Sequence, residues 1–180
     1  TGHSGVLGEY LKKKLKYRFI KFNGDIRNAN QVEKWVSKNK FDYFIHLAAI
    51  VPTALVEKDY SKAKKVNCDG TRNLINALIK HKKKFKNFFF ASTSHVYGPK
   101  SKYIKLNENS QTKTYTKYGK TKLIAEKFLE KKLKKNKVNF CIGRIFSVYD
   151  NRDKSFLVSG LKSKISKKKD NITLKDLNHF

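Results

Sequence analysis

Apolar positions along the chain change period repeatedly. From about Val6 to Leu15, Asn30 to Lys38, Val66 to Lys80 and Thr116 to Lys135 the pattern predicts helices. Between them lie short apolar runs at Tyr17–Phe22, Tyr43–Ala49, Asn87–Ala91 and Val138–Ile145, which predict strands. Asn23-Gly24-Asp25 reads as a turn, and residues 97–114 as a polar loop. A short helix near Phe156–Ile165 and a strand-like Ile172–Leu174 close the chain. Strands alternating with helices predict an α/β fold with a parallel sheet and right-handed crossovers. Strands so continuously apolar are expected to be buried on both faces. The alternation weakens after Asp150, which predicts one domain over residues 1–150 and the beginning of a smaller lobe over 151–180.

Composition narrows the class. In 180 residues, 39% are apolar and 13% aromatic, enough for a real core. No stretch approaches the roughly 18 uninterrupted apolar residues of a membrane span, so no membrane partner is expected. No charged-then-apolar leader is visible, and with Thr1 first and no Met the chain reads as a piece of a longer cytoplasmic protein. Cys68 and Cys141 lack metal or CxxC spacing and are expected to be two reduced core thiols.

Charge is the outlying property, at +28, with 42 Lys plus Arg against 14 Asp plus Glu. Only five of the cations are Arg (18, 27, 72, 144 and 152). Nucleic-acid binders mix in Arg, which forks onto phosphate and guanine. Here lysines run in clusters such as Lys12–Lys14, Lys82–Lys84 and Lys131–Lys135, on expected outer helix faces. A solvated surface explains them, and no nucleic-acid partner is expected.

Thr1-Gly2-His3-Ser4-Gly5-Val6-Leu7-Gly8 is a GxxGxxG spacing that opens a helix. Gly2 permits a tight turn, Gly5 lets backbone approach a pyrophosphate, and Gly8 lets the helix pack against the sheet. A helix N-terminus adds free N–H groups and a positive dipole. Further motifs follow in order: Gly24-Asp25-Ile26-Arg27, His46-Leu47-Ala48-Ala49, and Val66-Asn67 with Gly70-Thr71 and Asn73-Leu74. Then come Ser92-Thr93-Ser94-His95-Val96-Tyr97-Gly98, Tyr118-Gly119-Lys120-Thr121-Lys122 with Glu126, and Arg144-Ile145-Phe146-Ser147-Val148-Tyr149.

This set resembles the extended short-chain dehydrogenase/reductase family, the NAD(P)-dependent nucleotide-sugar epimerases, dehydratases and reductases. The resemblance implies a Rossmann-type doubly wound sheet whose first strand precedes Thr1, and a cofactor that is NAD or NADP. It places the dinucleotide against Gly2, Ser4, Gly5, Val6 and Leu7, Asp25 and Ile26, Leu47, Ala48 and Ala49, and Asn67. Tyr118 and Lys122 stand at its nicotinamide end, and Ser94, His95 and Ser147 against the sugar. No metal is implied; a homodimer is an open possibility.

Tyr118 and Lys122 are four apart on an expected helix and share a face. A free Tyr has a pKa near 10, and a neighbouring ammonium lowers it. Tyr118 is therefore expected to move a sugar hydroxyl proton with Lys122 as the tuning cation, and the resemblance implies that Thr93 holds the reacting oxygen beside it. Thr93 also fits a plain capping role. Ser94 and His95 stand where the family's dehydratases carry Asp-Glu, which disfavours water elimination. Ser147 replaces a usual Asn and Asp150 a usual Gly. The implied activity is hydride transfer on a nucleotide-activated sugar, as a 4-epimerase or a 4-keto-sugar reductase. The alternatives are a non-catalytic dinucleotide-binding protein, or a polyanion or RNA binder, on the same fold.

Overall fold

The structure, a computed structural model, describes residues 1–51, 53–98 and 104–148, together with residues 162, 165 and 166. By compactness the chain divides into Thr1–Ile145 and Phe146–Phe180. Every element below belongs to the first unit. The expected boundary at Asp150 and the expected strand Ile172–Leu174 lie outside the described residues. Of the expected helix Phe156–Ile165, only Lys162 and Ile165 are described, and both are helical.

In chain order the elements are α1 (Val6–Lys14), α2 (Ala29–Lys38), β1 (Tyr43–His46), α3 (Thr53–Lys58) and α4 (Tyr60–Lys64). After a π-helical turn at Lys65–Asp69 come α5 (Gly70–Lys80), β2 (Asn87–Thr93), a 3₁₀ turn at Ser94–Val96, α6 (Lys117–Lys135) and β3 (Phe140–Ile145). Helix starts follow their capping residues. Asn28 accepts from the Gln31 amide at 3.1 Å, and Thr116 from the Gly119 amide at 2.9 Å, satisfying donors the helix cannot satisfy itself.

The three strands are parallel in the order β1-β2-β3, with Phe44, Phe88 and Phe140 in register, and likewise His46, Phe90 and Ile142. That set faces the core, where Val32, Val36, Leu74, Leu78, Leu129 and Leu133 from α2, α5 and α6 close over Phe88 and Phe90. Phe44 stacks on Phe88 with ring centres 5.3 Å apart.

Burial along β1 and β2 alternates instead of being continuous, which corrects the expectation of strands buried on both faces. The packed helices cover one face, while on the other Ile45 and Phe89 are half-buried and their neighbour Cys141 is exposed. Cys141 is therefore not a core thiol, whereas Cys68 is; both are free. Tyr17–Phe22 is not a strand either: extended apolar residues become a strand only when a neighbour takes up their backbone groups, and no ladder forms along this segment.

Candidate active site

The site is assembled at the carboxyl end of the strands, where open α/β sheets present their crevice. The Leu47 amide, just past β1, donates to the Thr1 carbonyl at 3.2 Å, seating the glycine loop beside the strand end. Gly2 has φ 71°, in the left-handed region, and a Cβ there would lie 2.5 Å from the Ala48 nitrogen. A Cβ on Gly8 would lie 2.4 Å from the Gly2 carbonyl oxygen. Gly5 differs: a Cβ there meets nothing nearer than 3.6 Å. The fold thus needs Gly2 and Gly8 for close packing, and Gly5 leaves room in front of α1, whose start carries no side-chain cap. Gly8→Ala should therefore lower the melting temperature by several degrees. Gly5→Ala should leave it within about 2 °C and weaken dinucleotide binding instead. Thermal melts and titrations of both variants check this.

An open cleft of about 420 Å³ runs along the loop. Its lining includes Gly2, His3 and Ser4, then Phe22 and Gly24–Arg27, with Ala48, Ile50, Lys62 and Val66 behind. Five residues expected at the cofactor, Gly2, Ser4, Asp25, Ile26 and Ala48, thus meet in one cleft. Gly5, Val6, Leu7, Leu47, Ala49 and Asn67 flank it in sequence and are not among the lining residues. The Asp25–Arg27 segment is held from α5, where the Asn73 amide donates to the Ile26 and Arg27 carbonyls at 3.1 and 3.0 Å. Gly70 makes room for Ile26, since a Cβ there would sit 2.6 Å from the Ile26 side chain. His3, Arg27 and Lys62 are lining residues that the motif pattern did not single out; only Arg27 carried a signal, as the end of Gly24-Asp25-Ile26-Arg27.

Behind the cleft runs a buried chain of hydrogen bonds. The Thr71 hydroxyl donates its one hydrogen to the Asn67 carbonyl at 2.7 Å. It must then accept from His46 Nε2, 2.9 Å away, which leaves His46 Nδ1 to accept from the Thr1 hydroxyl at 2.7 Å. Burial holds this neutral histidine's pKa well below the usual range. Asn67 clamps Ile50 through both backbone groups, at 2.8 and 3.0 Å, and donates to the Thr121 hydroxyl at 3.0 Å. Thr121 in turn donates to the Tyr118 carbonyl at 2.8 Å. The Asn67 amide, expected at the cofactor, is thus engaged in fixing Ile50, a cleft residue, to α6. The π-helical turn around it has no periodic sequence signature, and such turns cluster at functional sites.

The Thr93, Tyr118 and Lys122 set lies where β2 ends and α6 begins, all three residues at most 6% exposed. Thr93 ends β2 and caps the 3₁₀ turn by accepting from the His95 amide at 3.3 Å, so the capping role is real. Its side chain also acts on the Tyr118 hydroxyl. Burial pushes the Tyr118 hydroxyl up to about 12, and the Thr93 side chain opposes that shift. Burial is the largest influence on Tyr118, contrary to the expectation of a lowered phenol. The Lys122 ammonium lies 4.1 Å over the Phe90 ring, and burial draws it down to about 7 against the pull of Glu126. The spacing of four put both groups on one face, but long side chains on one face need not converge. The His95 ring packs edge-on against Tyr118 at 5.7 Å, while Ser94 is half-buried beside it. Ser147 falls in the second unit.

A second buried group supports α6 from β3. Glu126 accepts from the Ser92 hydroxyl and from Arg144, whose Nη2 lies 3.0 Å from the carboxylate. Arg144 Nη1 also reaches the Tyr97 hydroxyl at 3.0 Å. Glu126 is 3% exposed, so removing its charge strands a guanidinium. Glu126→Ala should cost about 3–5 kcal/mol of stability, measured by urea unfolding of the full-length protein.

The chain belongs to the NAD dependent epimerase/dehydratase family, which matches residues 1–179. It is 33% identical over 121 residues to the bifunctional UDP-glucose 4-epimerase and UDP-xylose 4-epimerase 1 of Pisum sativum, covering 67% of this chain and 33% of that protein. The chain therefore spans about a third of the length of the curated relatives it matches. The UDP-glucose 4-epimerase of Thermotoga maritima, solved with UDP-glucose, superposes with a TM-score of 0.83 at 20% identity, over 97% of this chain and 64% of that one. RMD from Pseudomonas aeruginosa, solved with NADPH, superposes with a TM-score of 0.82 at 21% identity, over 93% and 60%. These two superpositions establish the Rossmann-type α/β fold. Among the described residues, no helix is long and apolar enough to cross a membrane.

Proposed function

We propose that the full-length protein is a cytoplasmic enzyme that carries out NAD(P)-dependent hydride transfer at C4 of a nucleotide-activated sugar, as a 4-epimerase. In this reading residues 1–150 form the cofactor domain and 151–180 begin the sugar lobe. The observation that carries it is the pairing of an open glycine-loop cleft with the buried Thr93, Tyr118 and Lys122 side chains where β2 ends and α6 begins. The cleft fits a dinucleotide. Gly5 leaves space in front of an uncapped helix start, where backbone N–H groups suit a pyrophosphate. Gly2, Ser4 and Gly5, with Val6 and Leu7 in the first turn of α1, would hold the phosphates, and Asp25 and Ile26 the adenosine end. Leu47–Ala49 and Asn67 would form the floor.

When bound, the nicotinamide supplies a hydride acceptor and donor. The residues of this chain handle the proton. Thr93 holds the sugar oxygen beside Tyr118, and Tyr118 exchanges the proton with it. In the described geometry Tyr118 keeps its proton at neutral pH, which suits donation to a keto oxygen. Acting as a base requires the charge of Lys122 to be brought to bear on it. Ser94 and His95 would line the sugar. With no carboxylate pair at Ser94 and His95, water elimination has no acid–base couple there.

Proton NMR of the full-length protein with UDP-glucose and added dinucleotide tests the reading. Appearance of UDP-galactose is the expected result. A second reading, 4-keto-sugar reduction, is favoured by the short segment between Phe22 and Asp25; in that case a 4-keto nucleotide sugar is consumed with stoichiometric loss of reduced dinucleotide.

A further inference from the structure

The end of the sheet opposite the site carries a second surface. β1 and β2 begin there, entered by the loops at 39–42 and 81–86, which together hold five lysines and one carboxylate. The Lys86 amide donates to the Asp42 carbonyl at 2.7 Å, so the two loops lie side by side. Between them is a cavity of about 400 Å³ lined by Lys40, Phe41, Asp42, Lys82, Lys83 and Lys84. Cations at this end have an ordinary use, since α2 and α5 end here with unsatisfied carbonyls. Lys83 serves that use: its Nζ donates to the Ser37 and Asn39 carbonyls at 2.9 and 2.8 Å. Lys40, Lys82, Lys84 and Lys86 do not. All four are exposed, and they form no ion pair among the described residues. Lys82 sits at φ 45°, the left-handed position after a helix that glycine ordinarily takes, and the end of α6 repeats the pattern with Lys137 at φ 52°. Each turn thus holds a lysine against the preference of the backbone.

Aromatic rings adjoin this lysine cluster. Tyr43, the first residue of β1, is 53% exposed, and the Lys86 ammonium lies 5.7 Å over its ring. Tyr17, 67% exposed, tilts against Tyr43 with ring centres 6.3 Å apart. Along the sequence Tyr43 stands some forty residues from the Lys82–Lys84 run; the fold sets them beside each other. Exposed rings next to ammonium groups are the parts of a platform for single strands, where bases stack on the rings and the cations follow the phosphates. A small anion has no use for the rings, and a duplex keeps its base faces in its own stack. Lysine meets phosphate as a point charge and lacks the fork with which Arg reads guanine, so such a platform is indifferent to sequence.

We propose that the amino end of the sheet binds single-stranded nucleic acid, through phosphate contacts from Lys40, Lys82, Lys84 and Lys86 and stacking on Tyr43 and Tyr17, without preference for sequence. This replaces the expectation of a merely solvated lysine surface. It does not rest on the enzymatic reading, since the glycine-loop cleft and the Thr93, Tyr118 and Lys122 set lie at the carboxyl end of the strands. Four phosphates neutralised on a single strand give an affinity that falls with salt at a logarithmic slope of about −3.

The test is fluorescence anisotropy of the full-length protein with labelled uridine and thymidine oligomers of about 12 nucleotides. Duplex RNA of equal length, inorganic polyphosphate and vesicles containing phosphatidylserine serve as competitors. The oligomers should bind with dissociation constants of about 1–100 µM at about 0.15 M salt, and the salt slope should be about −3. A preference for one oligomer names the strand as RNA or DNA and supports the proposal equally. Lys82→Gln combined with Lys84→Gln should weaken binding and reduce the slope to about −1.4. Tyr43→Ala should weaken binding about tenfold and leave the slope unchanged. Lys58→Gln combined with Lys127→Gln, exposed charges elsewhere, should change neither, which separates a local site from the general positive field. Thermal melts check that the variants fold. Photo-crosslinking of a thiouridine oligomer to the wild-type protein needs no variant and should map to Tyr43 or to residues 82–86. Polyphosphate, duplex or vesicles competing better than the single strands, an equal loss in the control variant, cross-links confined to the glycine-loop cleft, or binding of neither oligomer overturns the proposal. Each of these outcomes leaves the enzymatic reading where it stands.

Discussion

Tyr118→Phe should lower turnover of the full-length enzyme by at least about 10²-fold while leaving dinucleotide affinity unchanged. The substitution removes one hydroxyl from a side chain that is 6% exposed and packed with Val56 and Ala63, so the apolar contacts that fix the start of α6 survive. What is lost is the proton carrier. The sugar carbon cannot lose its hydride while its hydroxyl keeps the proton, and an unassisted alkoxide is too unstable at neutral pH. Steady-state turnover with its pH profile checks this: the variant should lose the limb that depends on Tyr118. The threonine beside it gives a graded companion. Thr93→Ser keeps the hydroxyl that meets Tyr118 and caps the 3₁₀ turn, so it should be mild, whereas Thr93→Val removes both interactions.

Lys122→Met should inactivate the enzyme and at the same time stabilise it. Lys122 is 2% exposed, and burial takes its pKa from 10.5 to about 7. The unfolded chain therefore binds the proton more tightly than the folded one. Below about pH 7 both states are protonated, and the folded state bears the whole cost of a buried ammonium. Between about pH 7 and 10.5 the unfolded state carries the extra proton, so wild-type stability rises with pH across that window. Methionine fills similar space without a charge, and removes a penalty on the order of a few kcal/mol near neutral pH. The difference in unfolding free energy between Lys122→Met and wild type should thus be largest near pH 7 and shrink towards pH 10. A constant difference across that range would show that Lys122 is not buried as an ionisable group. The coupling of lost activity to gained stability marks a residue kept for chemistry rather than packing.

How much of this was legible depends on the range over which each feature is encoded. The tight turn at Gly2 reads correctly because a left-handed φ is a local demand, whereas Gly8, expected against the sheet, lies against the backbone of Gly2 and His3, a contact that the spacing alone does not specify. The Tyr118–Lys122 spacing correctly placed both on the buried face of α6, since helical period alone decides that. Where the Lys122 ammonium goes was not legible. It depends on Phe90, which β2 brings beneath α6 from some thirty residues upstream. The helices Thr53–Lys58 and Tyr60–Lys64 were missed because each is barely more than a turn, too short for an apolar period to show. Tyr17–Phe22 has the composition of a strand but lacks a ladder, and only pairing makes a strand. The Asp25–Arg27 pairing, which lies in the cleft, is a contact two residues apart within a turn and has no periodic signature.

The central claim is that the glycine-loop cleft and the Thr93–Tyr118 pair serve one hydride transfer. Single-turnover mixing tests it most directly. The full-length protein saturated with oxidised dinucleotide is mixed with UDP-glucose, and nicotinamide absorbance is followed, in wild type and in Tyr118→Phe. The account predicts a rise in reduced-nicotinamide absorbance in wild type, at least about 10²-fold slower in Tyr118→Phe at equal dinucleotide occupancy. Equal rates in the two proteins, or tight dinucleotide binding with no reduction by any nucleotide sugar and no oxidation of the reduced form by a 4-keto nucleotide sugar, would contradict it.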